Sequence, residues 1–367
     1  MEMLEEKLQK VYSKYDIEGT FEGYTLCTSG HINDTYHVRF ALGNNKHKEY
    51  IFQRINHHVF KDPAGIMSNI RKITQHWQSA KIKPGCDIVN FLDSKDGDNY
   101  VVLDGEYWRV SPFIENSISY ETVENPELLS NAGYAFGQFQ YVLSDFPAHL
   151  LKETIPDFHN TKKRMDDFFN IVALDPIGRV KEVEREIKFI EKYLDIAVKL
   201  VEMQDRGEIP LRVVHNDTKY NNILIDKDNN KPLCIIDLDT VMPGLSMYDF
   251  GDAIRFAANR AVEDETDLSK IGLAIENFEA FASGFISASK DFLTKKELDN
   301  MALGAVVITI EQASRFLADY INGDKYYRIN RQSHNLDRAR CQIKLAEDMI
   351  LNYDVMRNTI DRLMAYV

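Results

Sequence analysis

The sequence predicts an α+β protein of two lobes: a β-rich N-terminal lobe over residues 1–112, a hinge at 113–117, and a larger, mainly helical lobe over 118–367. Three observations carry that prediction. The first hundred or so residues contain short runs in which apolar and polar side chains alternate. From residue 125 onward the apolar residues recur at spacings of three and four, as a helix requires. Two polar runs, VVHNDTKYNNIL (213–224) and CIIDLDT (234–240), break into that helical half between apolar flanks. A chain of 367 residues also exceeds the usual size of a single core.

Each element follows from local pattern. YHVRFAL (36–42) and YIFQRI (50–55) read as strands. NYVVL and EYWRV, joined by Asp104-Gly105, form a hairpin, because those two residues tolerate the positive φ of a type I′ turn. Between these lies one helix, with Ile66, Ile70, Ile73 and Trp77 on one face. An antiparallel sheet with one inserted helix makes a small α+β lobe. Beyond SPFIENS (111–117), Asn125 caps and Pro126 opens a helix whose stripe is Leu129, Ala132, Phe136, Phe139 and Leu143. A second long helix carries Val183, Ile187, Ile190, Leu194, Val198 and Val201, then stops at Gly207. Further helical patterns fill 253–287, 301–321 and 337–367.

Composition excludes several classes. The net charge of −13 disfavours a nucleic-acid partner but permits a single nucleotide bound through backbone amides and a metal ion. Cys27, Cys86, Cys234 and Cys341 show neither CxxC nor zinc spacing, which fits a reducing cytoplasm. The acidic, amphipathic N-terminus is not a signal peptide, and no apolar run approaches the length of a membrane span. No internal repeat is present, and a monomer is the default expectation.

The two polar runs belong together. Asp217 and Asn222 are five residues apart, and Asp237 follows after ILIDKDNNKPLC, which reads as strand, turn, strand. A hairpin returns the chain to its starting height, so Asp237 should lie near Asn222. Magnesium takes hard oxygen ligands, few of them from protein, with phosphate oxygens and water completing its shell. Asn222 and Asp237 suit that task, leaving Asp217 to accept a proton from an attacking hydroxyl. Base, metal-binding Asn and metal-binding Asp are the parts of a phosphoryl-transfer site.

HxDxxxxN followed by an IID strand resembles the aminoglycoside phosphotransferase and choline kinase family, which has a protein-kinase-like two-lobed fold. The chain is similar in particular to its N-acetylhexosamine 1-kinase branch. That likeness rests on GHINDTY (30–36), WRV…FIE (108–115), IPLRVVHNDTKYNNIL (209–224), IIDLDTVMPG (235–244), DFGDAIRF (249–256), EDETDLSK (263–270) and RFLADYINGDKYY (315–327), all in order. The resemblance implies Asp217 as catalytic base and Asn222 and Asp237 as magnesium ligands. Thr240, Arg315, Tyr326 and His31 are implied on the sugar side, and Asn33, Gln53, Phe113, Ile114 and Lys219 on the ATP side. His215 and Asp249 are expected to be structural: the first packs behind the loop, the second hydrogen-bonds it. The implied reaction moves the ATP γ-phosphate to the anomeric hydroxyl of an N-acetylhexosamine.

Other motifs carry less. YDFGD (248–252) has no strand leading into it, so its DFG reads as a coincidence of letters. DKDNNK (226–231) lacks the glycine of an EF-hand and reads as a hairpin turn. Gly133 and Gly137 in a soluble helix imply close packing. With no P-loop and no GxGxxG, Gly30 with His31 and Asn33 is the candidate nucleotide loop. Kinases of this fold usually place a lysine on the third strand, paired with a helix glutamate. Here Gln53 stands at the lysine position, with Arg71 and Lys72 on the helix, so that pair is absent or rebuilt. Arg71 is one candidate to reach the phosphates. Two alternatives remain open: a kinase of the same fold acting on homoserine, choline, methylthioribose or an aminoglycoside, and a nucleotide-binding pseudokinase.

Overall fold

The computed structural model describes residues 2–27, 32–82, 84–122 and 125–366. Its strands are β1 (Thr20–Cys27), β2 (Asp34–Gly43), β3 (Lys46–Ile55), β4 (Asp87–Ile88), β5 (Val101–Leu103), β6 (Glu106–Pro112), β7 (Ser117–Ile118), β8 (Arg212–Val214), β9 (Ile223–Asp226), β10 (Pro232–Ile235) and β11 (Met242–Gly244). The main helices are α1 (Glu2–Tyr12), α2 (Pro63–Ser79), α3 (Pro126–Val142), α4 (Thr161–Leu174), α5 (Glu184–Lys192), α6 (Leu194–Ala197), α7 (Lys199–Asp205), α8 (Ser246–Ala257), α9 (Ile275–Ser289), α10 (Lys295–Asp299), α11 (Met301–Ile321), α12 (His334–Leu351) and α13 (Tyr353–Tyr366).

Strands β1, β2, β3, β6 and β5, in that spatial order, form an antiparallel sheet. Alternation buries Tyr36, Val38, Phe40, Tyr50, Phe52, Trp108 and Val110 on one face, where Leu8 and Val11 of α1 close a small core. The β5–β6 turn has Asp104 at φ 52° and Gly105 at φ 79°, the pair of positive values expected there.

Helix α2 packs differently from the expected division at residue 112. Its Ile66, Met67, Ile70, Ile73 and Trp77, with Ile88 and Phe91 beyond it, join the large core made with α3, α8, α9 and α11. The Asn69 amide donates to the carbonyls of Lys152 (2.8 Å) and Val241 (3.2 Å), and β4 pairs in parallel with β10. The physical reason is that α1 already covers the sheet's apolar face, so the stripe on α2 is buried against the larger lobe.

Within that lobe, α3 and α9 approach closely. A Cβ on Gly133 would sit 2.1 Å from the Phe281 carbonyl oxygen, and one on Gly284 would sit 1.8 Å from that of Ser130. Both obstacles are backbone, so Gly284→Ala must push the helices apart. We expect it to destabilise the fold by about 3 kcal/mol, the upper range for overpacking. Urea unfolding checks this, and an unchanged midpoint would contradict the helix spacing.

The long helix expected over 183–201 is α5, α6 and α7, with relaxed backbone at Tyr193 and Val198. Helical bonds still cross both joints, from Ala197 N to Tyr193 O (3.0 Å) and from Glu202 N to Val198 O (3.0 Å). The pattern expected over 253–287 divides into α8 and α9, because the acid-rich stretch between them turns to meet arginines. Helix α11 is long and apolar enough by length and composition to cross a membrane, contrary to the sequence expectation that no run was. Yet 83% of its apolar window is buried, and it packs against α4, α8 and α12.

Candidate active site

The loop 215–222 leaves β8 after Val213 and Val214, both buried, and is held from beneath by the first turns of α8. The Asp249 carboxylate accepts from the backbone N–H of His215 (2.8 Å) and of Asn216 (2.7 Å), and from the Gln140 amide (2.8 Å). Asp252 accepts from Thr218 N (3.0 Å), and the Thr218 hydroxyl donates to the Asp249 carbonyl (2.6 Å). Burial pushes the Asp249 carboxyl up, and these donors oppose the shift. His215 lies between Phe136 and Phe139, edge to face. Its Nε2 meets the Ile236 carbonyl at 3.0 Å, and its Nδ1 accepts from Asp217 N at 3.3 Å, which fixes one neutral tautomer. The ring ties the loop to the strand that leads to Asp237.

A short 3-10 turn at Tyr220–Asn222 then brings Asn222 back under Asp217. The Asn222 amide nitrogen donates to the Asp217 carbonyl (2.8 Å) and to its Oδ2 (3.0 Å), so its oxygen is left as the outward acceptor. Lys219 Nζ stands 2.9 Å from Asp217 Oδ1. Strands β9 and β10 pair Ile223 with Ile235, and Ile236 N donates to Asn222 O at 2.9 Å. Asp237 follows at φ 59°, ψ 57°, a left-handed backbone that costs a non-glycine residue about 1 kcal/mol or more. Asp217, Asn222 and Asp237 line one cleft of about 1160 Å³. Asn33, Gln53, Phe113, Ile114 and Lys219 line it too. His31 lies outside the described residues.

The electrostatics separate the acids. Burial works against ionising Asp217, but Lys219 and the Asn222 amide together hold its carboxyl below the usual range. Asp237 is exposed to the cleft. The protein around it displaces part of its water and, with the Asp239 and Asp217 carboxylates, pushes its carboxyl up to about 7. Asp217 has Lys219 and Asp239 has Arg109, whereas Asp237 has no ion-pair partner among the described residues.

Asp239 and Arg109 were not singled out by the sequence. Arg109 on β6 lies opposite Gln53 on β3, and its Nε donates to Gln53 Oε1 at 3.0 Å. The Gln53 amide donates in turn to the Thr35 hydroxyl at 3.0 Å. Arg109 Nη1 bonds Asp239 Oδ1, with both side chains 1% exposed. At the position where the lysine is missing, Gln53 instead belongs to a hydrogen-bonded Gln53–Arg109–Asp239 chain. Arg71 does not reach the cleft; it bonds Asp93 (2.7 Å) and the Gly97 carbonyl (3.0 Å).

Of the residues implied on the sugar side, Thr240 lines the cleft, donating its hydroxyl to His215 O at 2.7 Å. Arg315 and Tyr326 are not brought into that lining. The Arg315 guanidinium donates to Gln312 Oε1 (3.2 Å), lies 4.0 Å from the Glu311 carboxylate, and stands over Phe158 (5.1 Å) and Tyr327 (5.9 Å). Tyr326 is 63% exposed, and its N–H is bound by Asp319 at 2.8 Å. Arg255, whose sequence context gave no hint of a role, lines the cleft and is held by Asp252 (2.9 Å) and Glu263.

Among the described residues, no three His, Cys, Asp or Glu side chains are grouped to hold a metal ion. The site fits a cation that takes an amide oxygen and one carboxylate from protein and the rest of its shell from phosphates. A pH dependence follows. With its carboxyl raised to about 7, Asp237 favours the fold when protonated, and that stabilisation is lost as pH rises through 7. A divalent cation held by Asp237 would take the place of the proton. The rise in melting temperature produced by Mg2+ with ADP should therefore be larger at pH 8 than at pH 5.5. Equal shifts at both pH values would contradict this.

Known proteins share this fold. Residues 23–276 match the phosphotransferase enzyme family, APH. An aminoglycoside phosphotransferase from Alicyclobacillus acidocaldarius superposes with a TM-score of 0.66 at 13% identity, covering 96% of each chain. A microcompartment-associated aminopropanol kinase superposes with a TM-score of 0.63 at 13% identity, covering 96% of this chain and 98% of that one. An amicoumacin kinase in complex with AMP-PNP and Ca2+ gives 0.56 at 14% identity, covering 94% and 92%. At these identities the likeness shows a shared protein-kinase-like fold. The family match spans more than two thirds of the sequence, and the chain belongs to the phosphotransferase enzyme family.

Proposed function

We propose that this phosphotransferase is an ATP- and Mg2+-dependent kinase that phosphorylates the anomeric hydroxyl of N-acetylhexosamines. The carrying observation is the charge balance around the 215–240 segment: of its three cleft-lining carboxylates, Asp217 and Asp239 are paired with cations, and Asp237, close to Asn222, has no ion-pair partner among the described residues. That pattern supports a site for a divalent cation. Asn222 and Asp237 would hold it, and when bound it neutralises charge on the phosphate oxygens.

The remaining roles belong to the chain's own residues. Asp217 is fixed by Lys219 on one oxygen and Asn222 on the other, and each oxygen keeps a lone pair for an acceptor proton. As the acceptor oxygen bonds to the γ-phosphorus and the bond to the ADP oxygen breaks, its proton passes to Asp217. Lys219 faces the same phosphates. Most of the rate enhancement comes from positioning and charge neutralisation.

Two features support a sugar. An anomeric hydroxyl is more acidic than an ordinary alcohol, which suits a carboxylate held low and therefore weakly basic. Two further acids of the cleft, Glu263 and Asp264, are engaged by Arg255 and by Arg331 with His334, while Arg260 and Arg338 add positive charge. Such a wall favours a neutral acceptor over an ammonium. A second reading, an amino-alcohol acceptor, is favoured by Glu121 and Glu276, which also border the cleft. Incubation with ATP, Mg2+ and a panel of free sugars and amino alcohols, followed by ADP release, separates the two. Turnover with N-acetylglucosamine or N-acetylgalactosamine supports the sugar. Turnover with choline, homoserine or an aminoglycoside alone supports the second reading, and nucleotide binding without turnover on any acceptor overturns both.

A further inference from the structure

Asp239 stands two residues beyond Asp237 and borders the same cleft, which invites its assignment as another metal ligand. Its surroundings argue otherwise. Each of its oxygens is taken by a donor from the sheet lobe: Oδ1 by Arg109 on β6, and Oδ2 by the Asn33 amide, just before β2, at 2.7 Å. Asn33 is itself fixed, its oxygen accepting from Asn56 N at 3.0 Å. Arg109 is further held by Gln53 and lies 4.5 Å over the Phe91 ring. A divalent cation approaching Asp239 would face the Arg109 guanidinium across the same carboxylate.

We propose that Asp239 is a positioning residue, the larger-lobe half of a buried latch with Arg109 and Asn33 that sets how the nucleotide-binding strands stand over Asp237. This inference rests on the kinase reading above. The latch joins segments 130 and 206 residues apart in sequence, and its hub shares a short turn (Leu238–Thr240) with the backbone that presents Asp237. A buried, charge-assisted pair has one geometry, because the desolvated partners have no water to accept in exchange. Displacement of the sheet lobe would therefore be felt at Asp237 through Asp239.

The test is a double-mutant cycle on the full chain with Arg109→Met and Asp239→Asn, reading kcat/KM for ATP and the Mn2+ concentration that half-saturates the ADP complex. Each single variant should lower kcat/KM for ATP at least about tenfold, and the double variant should be no worse than the poorer single one. Asp239→Asn should leave the Mn2+ requirement within about threefold of wild type, whereas Asp237→Asn raises it at least about tenfold. A merely structural residue would lower the folded fraction without this split. If Arg109→Met does not fold, Asn33→Ala removes the second donor and should lower kcat/KM for ATP in the same sense. Multiplying losses, or an Mn2+ requirement in Asp239→Asn that rises as in Asp237→Asn, would overturn the latch alone. A wild-type chain that binds no ADP would overturn the kinase reading and the latch with it.

Discussion

Asp237→Asn lowers kcat by about a thousandfold, the largest effect expected of any single polar substitution in this protein. Of the three acids at the base of the cleft, Asp217 is neutralised by Lys219 and Asp239 by Arg109. On the proposed function, Asp237 supplies the charge that would attract a cation to the phosphates. Its backbone is held left-handed at the end of β10 to point that carboxylate into the cleft, a conformation asparagine also tolerates. The substitution thus removes charge while keeping shape. A metal ion contributes several kcal/mol of charge stabilisation in such transfers, and each 1.36 kcal/mol is tenfold in rate, so the loss reaches about 10³. Steady-state kinetics over a range of Mg2+ concentrations check it. A variant that recovers full turnover at high Mg2+ would show that Asp237 only assists binding, and one with wild-type kcat throughout would remove it from the site.

Asp217→Asn lowers kcat by at least about a hundredfold, the low end for loss of a general base, and leaves nucleotide affinity nearly unchanged. The asparagine oxygen can still accept from Asn222, and the loop is held by Asp249 and Asp252 independently of residue 217. Geometry therefore survives while the proton acceptor is lost. A fall in ADP affinity as large as the fall in kcat would mean that Asp217 shapes the nucleotide site instead. Full turnover would exclude it as the base.

How far the sequence foretold this arrangement depends on the range of each interaction. The convergence of Asn222 and Asp237 was legible because β9 and β10 form a hairpin, and a hairpin's register is written in the few residues it spans. The Asp104-Gly105 turn was legible for the same reason. The Arg109–Asp239 pair joins residues 130 apart, and no local pattern encodes such a meeting. Its one trace was the absence of a lysine at Gln53, which showed that something was rebuilt without showing what. Helix α2 announced an apolar stripe but not the surface it would cover, since periodicity states that a face is buried and not against what. Arg315 and Tyr326 were named through resemblance alone, and the structure sets them outside the lining of the cleft that holds Asp217. The stretch between α8 and α9 kept an apolar rhythm while its acids turned to Arg255, Arg331 and His334, an ion-pair network visible only in three dimensions.

The most direct measurement is phosphorus NMR of the products formed from ATP, Mg2+ and N-acetylglucosamine or N-acetylgalactosamine. The arrangement of Asp217, Asn222 and Asp237 around one cleft predicts a new phosphate signal coupled to the anomeric proton, growing in step with ADP and absent when Mg2+ is chelated. Undiminished transfer in the presence of chelator, or ATP left intact with every hydroxyl-bearing acceptor offered, would contradict it.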